Sequence, residues 1–210
     1  MQNFLNNLRA HGLNKGMTYA ELIVVLGIFS VMSAVVIFNY GKFQDKIDIK
    51  NLANEIAIKI VQAQKDATSG QFPSLALQAG LSSSWKPAYG IIFDMAVPTQ
   101  FIYLVDLDNS NSCTAGTCVS PYSVGEEVLE VLNITKSNTI SGMSVVVPSG
   151  QTECPNLTKA SFYFTRPNAN PIINTSNDCA SISYVQLNIS SPAGSTSNIK
   201  IYPSGRIQIN

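Results

Sequence analysis

The sequence predicts an α+β protein: a long N-terminal α-helix packed against an antiparallel β-sheet globular domain. Three observations predict it. Leu22 to Phe38 runs seventeen residues without a charge or a proline. No proline then interrupts the chain until Pro73, and apolar residues recur at spacings of two to four, the helical period. Beyond Gln71, short apolar or alternating runs are separated by Gly, Pro, Asn and Ser, the pattern of strands and turns. With no second long helix available, one sheet or two must curl against the first.

Residues 1–16, MQNFLNNLRAHGLNKG, are basic, carry no acid and are too short for a domain. They read as a targeting leader. At ~1.5 Å per residue the run from Leu22 to Phe38 is about 25 Å long. The uncharged flank from Met17 to Ala20 extends it toward the ~30 Å hydrocarbon core of a bilayer. It is apolar all round apart from Ser30 and Ser33, as a membrane helix is. The positive-inside rule keeps the basic leader cytoplasmic and places everything after Tyr40 outside. An ordinary secretory signal would put a small-residue cleavage site after the run, and none stands near Phe38-Asn39-Tyr40-Gly41. No cysteine precedes Cys113, so a lipoprotein anchor is excluded.

Glu21 does not suit a plain anchor. A carboxylate near the end of an apolar helix costs on the order of 2.5–3.5 kcal/mol on insertion scales. None of the next twenty side chains is cationic. Were the chain cut after Gly16, however, Met17 would carry a free ammonium four residues from Glu21. The carboxylate would then be neutralised by that terminus or by the terminus of a neighbouring copy.

Lys15-Gly16-Met17-Thr18-Tyr19-Ala20-Glu21, followed by the apolar run, resembles the class III signal of type IV pilins and type II secretion pseudopilins. The resemblance implies that a membrane-embedded prepilin peptidase cuts after Gly16 and N-methylates Met17. It implies that Glu21, at the fifth mature position, drives docking into a growing filament. The partners implied are the prepilin peptidase, other pilin or pseudopilin subunits met through the N-terminal helix, and the inner membrane. The subunit would sit there as a single-pass protein until it enters an extracellular or periplasmic filament. Met17 replaces the usual phenylalanine, and Tyr19-Ala20 replaces a pair of aliphatics. Phe38 stands where many major subunits have a kinking proline, which favours a minor pilin or pseudopilin.

The helix is expected from about Met17 to Thr68, with Thr68-Ser69-Gly70 as its stop. Its second half is amphipathic, with Phe43, Ile47, Ile49, Leu52, Ala53, Ile56, Ile60, Ala63 and Ala67 as the apolar series. Residues 69–210 are the extracytoplasmic β-rich domain. Strands are expected at Tyr89–Met95, Gln100–Asp106, Glu127–Lys136, Met143–Val147, Ser161–Arg166, Ser181–Ser190, Asn198–Tyr202 and Arg206–Asn210. The last two form a closing hairpin around Pro203-Ser204-Gly205. That ending resembles the GspH/FimT class of minor pseudopilins, in which a hairpin with Gly-Arg lies near the C-terminus.

Four cysteines lie in this part: Cys113, Cys118, Cys154 and Cys179. They permit three pairings, among which the sequence does not choose. The expected pairs are Cys113–Cys118 around a small loop and Cys154–Cys179 around a longer one, in oxidising surroundings. A four-thiolate zinc site is the competing reading, but no close Cys-x2-Cys knuckle supports it.

Charged residues are 12% of the 210 and the net charge is zero. Without residues 1–16, which hold Arg9 and Lys15, 11 basic side chains face 13 acidic ones, arguing against a nucleic-acid partner. The one histidine, His11, lies in the leader, so a Ser-His-Asp or Cys-His arrangement has no imidazole beyond it. No phosphate loop is present, and no catalytic residue, metal or cofactor is expected. Asp106, Asp108 and Asn111 offer oxygen ligands of the kind calcium accepts. Asp, Asn and Ser are also turn formers, and the turn is the preferred reading. Trp85, Tyr89, Phe93, Phe101, Tyr103, Phe162, Tyr163 and Phe164 are expected half in the core, in preference to a binding platform.

The function expected is therefore a structural, non-enzymatic subunit of a type IV pilus or type II secretion-like filament. Its rivals are a tip adhesin or DNA-uptake pilin that binds through loops 109–121 and 168–178, and an unprocessed single-pass membrane protein.

Overall fold

The computed structural model of the chain describes residues 16–74, 78, 81, 84–107, 109, 126–150, 152–177, 179 and 181–210. The chain divides after Phe43 into two compact units. One helix, α1 (Tyr19–Ser69), contributes to both.

Thr18 and Glu21 start the helix, as described below. Gly70 ends it at φ 71°, with Gly70 N donating to Ala67 O (3.2 Å) and Gln71 N to Asp66 O (3.1 Å). Those two bonds close a Schellman motif, for which a left-handed glycine is the preferred residue. In the N-terminal unit the side chains of α1 are exposed, including Leu22, Val25, Phe29, Met32 and Val36. Ser30 Oγ donates to Leu26 O at 2.8 Å, so that hydroxyl is satisfied within the helix.

Among the described residues the second unit holds ten strands: β1 (Ala88–Asp94), β2 (Gln100–Asp106), β3 (Glu126–Asn133), β4 (Thr139–Val146), β5 (Thr152–Cys154), β6 (Lys159–Thr165), β7 (Ile172–Thr175), β8 (Tyr184–Ser190), β9 (Thr196–Ile201) and β10 (Ile207–Ile209). They form two five-stranded antiparallel sheets, in the order β3-β2-β1-β6-β7 and β10-β9-β8-β4-β5. The outer half of α1 lays Ile49, Leu52, Ala53, Ile56, Ile60, Ala63 and Ala67 into one core with both. Three alanines in that stripe leave room for large partners: Tyr89, Phe93, Phe101 and Phe162 from the first sheet, Met143, Leu187 and Ile201 from the second.

The predicted fold class stands, and the eight expected strands are all present, Gln100–Asp106 with the ends expected and the others with shifted ends. Glu127–Lys136 stops at Asn133, because Lys136 and Ser137 take φ of 60° and 56°, which a strand cannot continue through. The strand expected from Met143 begins at Thr139 and passes a register shift between Ile140 and Gly142. The strand expected from Ser181 begins at Tyr184. Two strands were not expected. β5 has three residues, and β7 has four and follows Pro171 in a segment read as a loop. The closing hairpin is as expected: Tyr202 N donates to Arg206 O and Gly205 N to Tyr202 O, both at 2.9 Å, with Gly205 at φ 80°.

All eight of the aromatics expected half in the core are buried. Trp85, Tyr89, Phe93, Phe101, Tyr103, Phe162 and Phe164 all belong to the core shared with α1, because the pairing of β1, β2 and β6 puts the strand residues among them on one face of the first sheet. Ile92, Ile102, Leu104 and Tyr163 form a second cluster on its far side. There the Tyr163 ring lies over Gly90, where an added Cβ would come within 2.8 Å of it.

Candidate functional site

Gly16 and Met17 are exposed and precede the helix. Thr18 is its N-cap, and Glu21 sits at the third helical position. Glu21 Oε2 accepts from Thr18 N at 2.8 Å and from Thr18 Oγ1 at 2.9 Å, while Thr18 Oγ1 accepts from Glu21 N at 3.2 Å. This reciprocal pair is a capping box. Sequence reasoning looked for a cationic partner of Glu21 and missed this one. The signal was present as Thr-x-x-Glu ahead of an apolar run. Both Gly16 and Glu21 lie at the surface.

The helix that follows has a mean hydropathy of 2.5 over its most apolar window, none of which is buried. It is long and apolar enough to cross a membrane. Apolar surface on this scale, open among the described residues, is what a lipid or protein contact covers.

In the second unit, Cys154 and Cys179 form a disulfide with Cα atoms 6.3 Å apart. It ties β5 to the segment after β7. The expected pair Cys113–Cys118 lies outside the described residues. So do Asp108 and Asn111 of the possible calcium set. Asp106 is fully buried at the end of β2, its carbonyl accepting from Trp85 Nε1 at 2.8 Å. Asn109 takes φ 57°, accepts from Lys86 N at 2.8 Å and donates to Lys86 O at 2.7 Å. Its side chain thus does what an asparagine does in a turn. Among the described residues no three His, Cys, Asp or Glu side chains gather as a metal site would require.

Polar links hold α1 to the rest of the second unit. Lys59 bridges to Glu130 at 2.7 Å and Lys136 to Asp48 at 2.5 Å. The Lys136 ammonium, through that hydrogen bond, holds the Asp48 carboxyl below its ordinary range. Tyr103 Oη donates to Asp66 at 2.6 Å. Burial, then that hydrogen bond and the Asp66 charge, push the Tyr103 phenol far up, and burial followed by Asp66 takes Tyr89 to about 12. None of these links was read from the sequence, because each joins residues at least 37 positions apart.

Comparisons with family models, with curated proteins and with solved structures give no match. What fold and site define is a class: an α+β protein with an exposed apolar helical segment in one unit and, in the other, two antiparallel sheets pinned by a disulfide.

Proposed function

We propose that this chain is a non-enzymatic filament subunit of the type IV pilin and type II secretion pseudopilin kind, in the manner of a minor subunit. The observation that carries the reading is one of register. Gly16 and Met17 stand exposed just ahead of a capped helix start, and Glu21 occupies the first turn. An uninterrupted apolar helix, exposed among the described residues, follows. Cleavage after Gly16 by a prepilin peptidase, with methylation of Met17, would leave the new ammonium within one helical turn of Glu21. In the membrane the subunit waits with this half of α1 in lipid. On assembly the Glu21 carboxylate meets the terminal amine of a neighbour, and the same apolar surface passes from lipid onto the helices of other subunits. The two-sheet domain stays outside.

The mature N-terminus is the decisive measurement. Intact-mass and terminal-peptide analysis of the protein from its producing cell should give a chain that begins at N-methylated Met17. A chain that still begins at Met1 overturns the reading and leaves a single-pass membrane protein in its place.

A further inference from the structure

The face of the second sheet turned away from the core is a polar grid. Along β8 and β9 the core takes Val185, Leu187, Ile189, Ile199 and Ile201, so the residues between them point the other way. Strand register sets these in rows. Tyr184, Tyr202 and Arg206 make the first. Gln186, Lys200 and Gln208 make the second. Asn188, Asn198 and Asn210 make the third. Neighbours stand about 5 Å apart within a row, and rows about 7 Å apart. Every one of these residues is half-exposed or exposed.

The grid carries cations and no acid: from Ser181 to Asn210 the sequence has Lys200 and Arg206 and neither Asp nor Glu. Each cation is seated on a ring. Lys200 Nζ lies 5.0 Å from the centre of the Tyr184 ring and Arg206 Cζ 3.9 Å from that of Tyr202, and the two rings meet at 5.3 Å. Such a seat holds a long side chain in place before an anion arrives, which lowers the entropic cost of binding it. A guanidinium held by its face keeps the N–H fork at its rim for a carboxylate. The amides are oriented as well. Gln186 Nε2 donates to Asn188 Oδ1 at 2.9 Å, Gln208 Nε2 to Asn210 Oδ1 at 3.1 Å, and Tyr202 Oη to Gln208 Oε1 at 3.1 Å. An amide both donates and accepts, as a sugar hydroxyl does.

We infer that the outer face of β8, β9 and β10 binds an acidic polysaccharide, a chain of uronic-acid sugars. Arg206 and Lys200 take its carboxylates, and the amide rows take its hydroxyls. Single-stranded nucleic acid fits this face less well. Its bases need free ring faces, and both rings already hold a cation. Its phosphates come one per nucleotide, against two cations on the grid. The face lies wholly within the second unit, so the inference goes beyond the filament reading and stands whether or not the chain enters a filament.

The test uses the detergent-solubilised full chain over immobilised alginate and hyaluronan oligomers, at about 0.15 M salt and without calcium. Neutral dextran and a thymidine oligonucleotide serve as the other arms. Saturable binding to at least one of the two acidic polymers is expected. Arg206→Gln should weaken it about tenfold, and Arg206→Lys, which keeps the charge and loses the fork, should fall between. Asn198→Ala should weaken it about fivefold, through lost hydroxyl bonding. Lys65→Gln, an exposed cation on α1, should leave it unchanged. Denaturant midpoints show that each variant keeps its fold, and Lys200→Gln gives a second reading should Arg206→Gln shift its midpoint. Lack of saturable binding to both acidic polymers overturns the inference. So does equal affinity for dextran, or tighter binding to the oligonucleotide. A loss from Lys65→Gln as large as that from Arg206→Gln overturns it too, since overall charge would then account for the binding.

Discussion

Between Leu22 and Ile37, α1 turns Ile23, Val25, Ile28, Phe29 and Val36 outward on every side. Between Ile49 and Ala67 the same helix hides one stripe against two sheets and keeps Lys50, Glu55 and Lys65 in water. Both halves are helical for local reasons: a capping box at one end, a Schellman glycine at the other, and no proline between. They differ in where apolar surface finds its partner. The outer half finds it inside the chain, so its packing is a matter of folding. The inner half finds none among the described residues, and under the proposed function its packing is a matter of lipid or assembly. Substitutions in the two halves should therefore fail in different assays.

The largest effect belongs to the inner half. Glutamine at an N3 position can keep a capping box while losing the charge. Glu21→Gln should thus leave helix start and membrane insertion unchanged and abolish incorporation into filaments, read as the ratio of sheared filament to membrane fraction. Wild-type incorporation would mean that the carboxylate serves only as a cap, and the contrast between the halves would lose its assembly arm.

The next effect belongs to the outer half. Ile56 is fully buried. Ile56→Ala removes methylenes from a packed core and should cost about 2–5 kcal/mol. Ile28→Ala, at a position 55% exposed within the chain, should change the stability of the domain by less than about 0.5 kcal/mol. Denaturant titration followed through Trp85, the only tryptophan, reads both on detergent-solubilised full chain. Equal losses would mean that the two halves unfold as one, against the division drawn above. Reduction of Cys154–Cys179 comes after this. The bond closes 25 residues of chain, and its loss should cost about 3 kcal/mol in the same titration. It should leave insertion of the inner half untouched.

How much of this was legible beforehand follows the same division. The helix is written locally: the uncharged run of its inner half and the glycine stop of its outer half were read, and the Thr-x-x-Glu start, though missed, stands within four residues. The strands were found wherever apolar alternation was long, as in β1, β2 and β8, and lost where it was short, as in β5 and β7. The near end of β3 was misjudged because the left-handed backbone at Lys136 and Ser137 leaves little trace in residue type. The aromatics of β6 were expected to alternate between core and surface. Tyr163 is buried because Gly90 on the neighbouring strand makes room for its ring, a pairing of residues 73 positions apart that periodicity does not contain. The partners of Asp48, Lys59 and Asp66 were hidden for the same reason.

The smallest effect sharpens the comparison through pH. Inside the apolar run from Leu22 to Phe38 there is nothing to titrate, whereas the outer half carries Asp66 against two tyrosines. Folding holds the Tyr103 and Tyr89 phenols protonated above their usual ~10, the value they regain on unfolding. Above pH ~10 the unfolded chain then binds fewer protons than the folded one, so stability falls as pH rises. For Tyr89 the loss levels off near its folded value of about 12, and for Tyr103 it continues beyond. Tyr103→Phe keeps the ring against Tyr89 and removes the hydroxyl that donates to Asp66. It should cost about 1–3 kcal/mol near neutrality, where a hydrogen bond to a charged group is lost. Between pH ~10 and ~11 it should also roughly halve the slope of stability against pH, because one of two retained protons is gone. An unchanged slope would mean that Tyr103 ionises alike in the folded and unfolded chain, and that Asp66 does not bind the helix end to β2 through that proton.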